Sequence, residues 1–285
     1  MTTENGHAAD AAATRPVPGE HQALYLIRHG DRWDYSHPEW KASAKRPGDP
    51  PLSTLGHEQA RETGIFLDSL LAQDGITTPE AITWLASPFL RTLQTSDNAI
   101  NAFTMVDSEG LVIHPEYSVF ETDGHDGVLH KDLPTMEERK CYFPRLNETY
   151  ESIFVPTLPE TRAEFLPRCD RAIAGINKRF PYSPRTAIVV VTHAAACIGL
   201  ARAAANVTLQ DVNAAGPCSV TKLTRTSNAP SWNLDHYAKE GGINGYVAHL
   251  KVLGKYTYPW NNFGDKKVNN GYTGPPRDDK VRIEL

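Results

Sequence analysis

The stretch Ala23-Leu24-Tyr25-Leu26-Ile27-Arg28-His29-Gly30 decides how this chain folds. Five consecutive apolar residues suit a short strand buried on both faces, and the glycine that follows turns the chain. The strand therefore delivers an arginine and a histidine into a turn. A second stretch repeats the theme far along the chain. Thr186-Ala187-Ile188-Val189-Val190-Val191-Thr192 is a β-branched strand, and it too ends at a histidine, His193, before an Ala-rich helix over Ala194–Ala205.

The intervening segments alternate between the two periods. After a Pro-rich loop, Ser53 or Thr54 caps a helix running to about Gln73. Leu55, Ile65, Leu67, Leu70 and Leu71 form its apolar side, and Asp74-Gly75 ends it. Ile82–Ala86 reads as a strand. Ser87-Pro88 opens a helix through about Ala102, with Arg91 in its first turn and Ser87 either capping it or donating to a phosphate. Leu111–His114 is a third strand and Ser219–Thr224 a later one. Thr161–Phe180 is helical, with Phe165, Cys169, Ala172, Ile173 and Ile176 on one side. Strands alternating with helices of this length predict an α/β fold, a three-layer sandwich around a mostly parallel sheet.

Composition narrows the function. The 285 residues carry 29 Lys and Arg against 34 Asp and Glu, a net charge of −5. That balance argues against a protein whose main task is to hold nucleic acid or an anionic membrane, since both need concentrated positive charge. The longest apolar stretch, Thr186–Cys197, is interrupted by Thr192 and His193 and falls short of the ~18 residues a membrane helix requires. Cys141, Cys169, Cys197 and Cys218 lack metal-ligand or CxxC spacing and read as reduced thiols, with Cys197 as core filling. The first twenty residues have neither a signal-peptide nor a transit-peptide pattern, so the expected location is cytoplasmic. The expected organisation is a flexible tail over 1–20, one domain over 21–260 with an inserted lid around 122–150, and a C-terminal tail over 261–285.

In sheets of this kind, ligands bind beyond the carboxyl ends of the strands. There Arg28 and His29, Ser87 and Arg91, and His193 converge from three separate segments. Guanidinium groups present planar forks that match phosphate oxygens. Nearby cations disfavour imidazolium, which keeps a ring nitrogen available as a nucleophile. A phosphate monoester is the natural substrate for such a pocket.

The residues also carry a family likeness. Leu26-Ile27-Arg28-His29-Gly30-Asp31-Arg32 resembles the RHG signature of the histidine phosphatase superfamily, the phosphoglycerate-mutase-like proteins. Pro51–Gly56 with its helix, Ala86-Ser87-Pro88-Phe89-Leu90-Arg91-Thr92-Leu93-Gln94-Thr95, and Val190-Val191-Thr192-His193 fall in the family's order, so the resemblance spans about 24–224. Asp49-Pro50-Pro51-Leu52-Ser53, Phe120-Glu121 and Trp260-Asn261 resemble the subgroup containing the phosphatase domains of the suppressors of T-cell receptor signalling and insect ecdysteroid-phosphate phosphatase.

This resemblance implies that His29 attacks phosphorus and that Arg28, Arg32 and Arg91 hold the phosphoryl oxygens. It further implies that His193 donates to the same group and that Glu121 serves as acid and then base. No metal or other cofactor is implied. Arg32 could instead pair with Asp31 or Asp34. Glu116, Asp123 and Asp126 compete with Glu121 for the acid's role, and His125 and His130 fall in the lid. The expected partner is a phosphorylated small molecule or a phosphotyrosine-type ester, and the subgroup is compatible with a homodimer. A cofactor-dependent mutase is a lesser alternative, because Asp31-Arg32-Trp33-Asp34 replaces the mutases' Glu-Ser-X-Trp-Asn run. A phosphatase-fold interaction module is the alternative of another class.

Overall fold

A computed structural model describes residues 20–122, 133–227, 229, 231–234 and 249–251. Both proposed tails lie outside these residues apart from Glu20. So do Asp123, Asp126, His125 and His130 of the proposed lid, and Trp260-Asn261.

Six strands form one sheet: β1 (Gln22–Arg28), β2 (Ile82–Ala86), β3 (Ile113–Pro115), β4 (Thr186–Thr192), β5 (Val220–Arg225) and β6 (Asn233–Leu234). Their spatial order is β3-β2-β4-β1-β5-β6. Strands β1 to β4 run parallel, while β5 pairs antiparallel with β1 and with β6. The β1–β4 register places Arg28 opposite Thr192, so both histidine-bearing turns leave the sheet side by side.

Seven helices occur among the described residues. They are α1 (Trp33–Ser36), α2 (Trp40–Ser43), α3 (Thr54–Gln73), α4 (Leu90–Asn101), α5 (Met136–Tyr142), α6 (Arg162–Arg179) and α7 (Ala194–Ala205). The strand period of two sorts β1 between two cores. Ala23, Tyr25 and Ile27 pack with Leu67 and Leu71 of α3 and Leu93 and Ile100 of α4. Leu24 and Leu26 pack on the opposite face with Ile173 and Ile176 of α6 and Ile198 and Leu200 of α7. The three-layer α/β expectation therefore holds.

Helix starts follow local capping chemistry. Ser53 accepts from Gly56 N at the head of α3, and Thr161 with Glu164 forms a capping box at the head of α6. Helix α3 stops at Asp74, followed by Gly75 with φ +72°, a conformation that favours glycine. The α4 expectation needs a correction. Phe89 occupies its N-cap and makes no side-chain cap, so Ser87 is not a cap. Helix α5 was not anticipated and falls within the expected lid segment. No helix among the described residues is long and apolar enough to cross a membrane.

Candidate active site

The surroundings of His29 are built from backbone outward. His29 N donates to Thr192 O at 2.9 Å, which ties the end of β1 to the end of β4. His29 Nδ1 lies 2.7 Å from Gly30 O. A carbonyl oxygen can only accept, so Nδ1 carries the hydrogen and Nε2 holds the free lone pair. Burial first, and then the charges of Arg91 and Arg28, hold the His29 pKa well below the usual histidine range.

Glycine makes this turn possible. A Cβ on Gly30 would stand 2.6 Å from Gly56 O, and one on Gly56 would collide with the Asp31 backbone. The two glycines let the head of α3 press directly against the RHG turn. Asp31 fastens the contact: its N–H donates to Gln59 Oε1, its carbonyl accepts from Ser53 N, and its Oδ2 accepts from Ser53 Oγ at 2.7 Å.

Arg28 donates from Nη1 to Ala215 O at 2.9 Å, while Cys218 N donates back to Arg28 O. Arg91 is fully buried, with its guanidinium 4.2 Å above the Phe89 ring. Asp49 Oδ1 lies 3.8 Å from Arg91 Nη1, and Glu121 Oε2 lies 3.9 Å from Arg91 Nη2. Asp49 Oδ1 also accepts from Leu90 N at 2.8 Å and so satisfies one donor at the head of α4. Thr95 Oγ1 donates to Arg91 O and accepts from Gly30 N, which links α4 to the turn after His29.

His193 follows β4, its ring centroid 5.4 Å from that of His29. Its Nε2 is 2.8 Å from Ser87 Oγ, and its Nδ1 is 3.4 Å from Glu121 Oε2. Ser87 thus orients a site histidine rather than capping α4. Burial, then Arg91 and His29, also hold the His193 pKa well below its ordinary range. His29, Glu121 and His193 place potential ligand atoms within 4.8 Å of one another. The guanidinium charges that resist imidazole protonation would likewise resist a divalent cation, and they favour an oxyanion.

Of the competing acids, Glu116 and Glu121 lie among the described residues, and their settings differ. Glu116 is fully buried in a clasp away from these groups, accepting from Ser118 N, Ile153 N and Tyr150 Oη. Glu121 sits beside His193 and Arg91 with its side chain 13% exposed. Arg32 donates a two-point fork to Asp34, from Nε at 3.0 Å and Nη2 at 2.9 Å. Its charge nevertheless reaches His29 and His193 and contributes to their lowered pKa values. All six residues proposed for the site are therefore among the described residues. His29, His193, Glu121 and Arg91 converge directly, and Arg28 and Arg32 reach His29 through their charges.

Sequence reasoning missed Ser87's contact with His193, Asp49's position beside Arg91 and Thr95's bridge. Asp49 carried a signal in the Asp-Pro-Pro run, though without a role. The sequence puts Ser87 at this edge of the sheet but not against His193, and Thr95 carries no signal, since only the fold brings it to Gly30.

Comparison with solved structures finds this architecture elsewhere. Ecdysone phosphate phosphatase from Bombix mori, in complex with tungstate, superposes with TM-score 0.57 at 18% identity, covering 75% of this chain and 92% of that one. An alpha-ribazole-5'-P phosphatase assigned in Escherichia coli matches at TM-score 0.47 and 18% identity, over 75% of this chain and 95% of that one. Mycobacterial glucosyl-3-phosphoglycerate phosphatase matches at TM-score 0.46 and 18% identity, over 75% and 96%. No curated protein sequence matches the chain. The sequence pattern of the histidine phosphatase superfamily, branch 1, matches residues 24–237, from β1 past β6. This chain belongs to the histidine phosphatase superfamily.

Proposed function

We propose that the chain is a metal-independent phosphomonoesterase that works through a phosphohistidine on His29 and releases inorganic phosphate. Its substrate class is a phosphorylated small molecule or a phosphotyrosine-type ester. The observation that carries this reading is the neutral His29 ring, with Nδ1 committed to Gly30 O, its Nε2 lone pair free, and the charges of Arg28 and Arg91 around it.

In the first step the Nε2 lone pair forms a bond to phosphorus while the ester P–O bond breaks. Arg28, Arg91 and Arg32 stabilise the phosphoryl oxygens, and His193 donates to the same group. Protonated Glu121 gives its proton to the departing oxygen, so an alcohol leaves. In the second step the Glu121 carboxylate takes a proton from water as that water attacks phosphorus. The P–N bond breaks, and the electron pair returns to His29 Nε2. Both carboxyl states are used once per cycle, and the enzyme ends as it began.

The test is hydrolysis of p-nitrophenyl phosphate in excess EDTA, wild type against His29→Ala. Turnover that survives chelation and vanishes in the variant is the expected result. A rapidly quenched reaction should also contain an acid-labile phosphoenzyme in the wild type alone. Turnover lost to EDTA, or retained by His29→Ala, overturns the mechanism. Absence of turnover in the wild type would turn attention to bisphosphoglycerate-stimulated mutase activity and to a binding role.

A further inference from the structure

Glu121 stands at the end of an extended strap that follows the 3₁₀ turn Tyr117–Val119. Three side-chain donors from two other elements grip the backbone of that turn and strap. Arg168 Nη1 donates to Ser118 O at 3.0 Å, and Arg168 Nη2 donates to Glu121 O at 3.2 Å. Between them, Thr192 Oγ1 donates to Val119 O at 2.6 Å. Thr192 immediately precedes His193, so the same anchor positions both partners of the 3.4 Å Glu121–His193 contact.

Arg168 is an expensive choice for a tether. It lies on α6 with only 1% of its surface exposed, and its charge is matched by a buried carboxylate, Glu160. Arg168 Nε donates to Glu160 Oε2 at 2.8 Å and Nη2 to Oε1 at 2.6 Å, while the guanidinium stands 4.9 Å over the Phe165 ring. A buried ion pair of this kind commonly stabilises a fold no better than apolar residues of similar volume. Its distinct property is geometric. A planar fork fixed on one edge by Glu160 can present its remaining N–H groups to two carbonyls in a set orientation, which neither an apolar residue nor a lysine can do.

We propose that Arg168, held by Glu160, is a positioning residue that acts through Glu121, setting the acid's carboxyl against His193 and the leaving-group oxygen. This rests on the reading of Glu121 as the general acid. Misplacing a reacting group by about 1 Å can cost about 100-fold in rate. The loss should fall on the step that needs the proton.

The test compares kcat/KM for phenyl phosphate, a poor leaving group, with that for p-nitrophenyl phosphate, a good one. This ratio covers events up to phosphohistidine formation, so later hydrolysis does not mask the acid's contribution. Replacing the pair together, Arg168→Met with Glu160→Met, avoids leaving one buried charge alone. The expected result is a loss of about 10- to 100-fold on phenyl phosphate and under about 3-fold on p-nitrophenyl phosphate. Arg168→Lys, which keeps the charge but not the fork, should show the same split to a smaller degree and serves if the double variant does not fold.

Glu121→Gln is measured in parallel and combined with the pair replacement. If Arg168 acts through Glu121, removing the clamp in the Glu121→Gln background should cost little more on phenyl phosphate. Equal losses on both esters, no loss on phenyl phosphate in a folded variant, or full additivity with Glu121→Gln would each overturn the positioning role while leaving Glu121's own role standing. A Glu121→Gln variant that shows no leaving-group split would instead remove the acid assignment, and the proposal with it.

Discussion

Two buried polar clusters sit at opposite ends of β1, and they solve opposite problems. At the amino end, Asp74 collects a hydrogen bond from Tyr25 Oη at 2.7 Å, the Lys222 ammonium at 2.7 Å, and His21 Nε2 at 3.3 Å. Burial raises the Asp74 pKa, but His21, Lys222 and Tyr25 outweigh it and leave the carboxyl below its ordinary range. At the carboxyl end, Asp49 and Glu121 stand 3.8 and 3.9 Å from Arg91, beyond ordinary hydrogen-bond reach. Burial of Asp49 prevails over Arg91, and its pKa is raised. The first cluster is closed on itself. The second holds its charges apart around neutral histidines, the arrangement expected of a place where an anion is meant to enter.

The sharpest break in this comparison is functional. His29→Ala should reduce phosphoester turnover by at least about 10⁴-fold, because no other group supplies the attacking lone pair. Far-ultraviolet circular dichroism should stay that of the wild type. A residual rate within about 10-fold would mean that water attacks phosphorus directly and that His29 only binds.

The amino-end cluster should break in stability instead. Asp74→Ala strands Lys222 in a buried setting, and removal of one partner of such a pair costs about 3–5 kcal/mol. Urea unfolding followed by intrinsic fluorescence reads this directly. Activity per folded molecule should remain, since Asp74 lies at the far end of β1 from His29. A folded but inactive variant would show that the two clusters are coupled through β1.

The two ends also differ in how far sequence exposes them. Strand β4 and helix α7 have the bounds read from Thr186–Thr192 and Ala194–Ala205, because continuous apolar patterns bounded by a histidine and an Asn leave little choice. Arg28, His29, Arg91 and His193 were legible because each sits where an apolar strand stops or a helix starts. Direction was not legible: β5 is antiparallel to β1, and periodicity carries no information about strand sense. Helix α5 spans seven residues and has little apolar face, although the Thr135 and Glu138 capping box was its available signal. Arg168 was hidden for a different reason. A charged residue beside an apolar stripe reads as solvent-facing, and only the fold brings Glu160, Ser118 and Glu121 around it.

Acid should distinguish the ends next. In the native protein His29 and His193 have pKa values held well below 6.5, whereas in the unfolded chain they titrate near about 6.5. Between those limits the unfolded state binds more protons, so stability falls as pH drops through about 6.5 and the loss is complete only below the native values. The slope can approach about 1.4 kcal/mol per pH unit for each histidine. Urea midpoints measured from pH 7.5 to 5.0 should show it, and His29→Ala should flatten it. An unchanged slope in that variant would place the acid sensitivity in the other histidines whose pKa values burial lowers, His193, His114 and His249.

The smallest effect tests how firmly the carboxyl-end cluster is held. Ser87 Oγ is the hydrogen-bond partner of His193 Nε2, at 2.8 Å, and both residues are fully buried. Ser87→Ala leaves the ring in place, packed against Phe89 at 4.8 Å, but removes the contact that selects its orientation and tautomer. A neutral hydrogen bond of this kind contributes about 0.5–1.5 kcal/mol, so kcat/KM should fall about 3- to 10-fold. The loss should be the same on phenyl and p-nitrophenyl phosphates, because His193 serves the phosphoryl oxygens rather than the leaving group. A loss confined to phenyl phosphate would move Ser87 and His193 into the proton path with Glu121. No loss at all would show that Glu121 and the packing against Phe89 and His29 suffice to orient the ring.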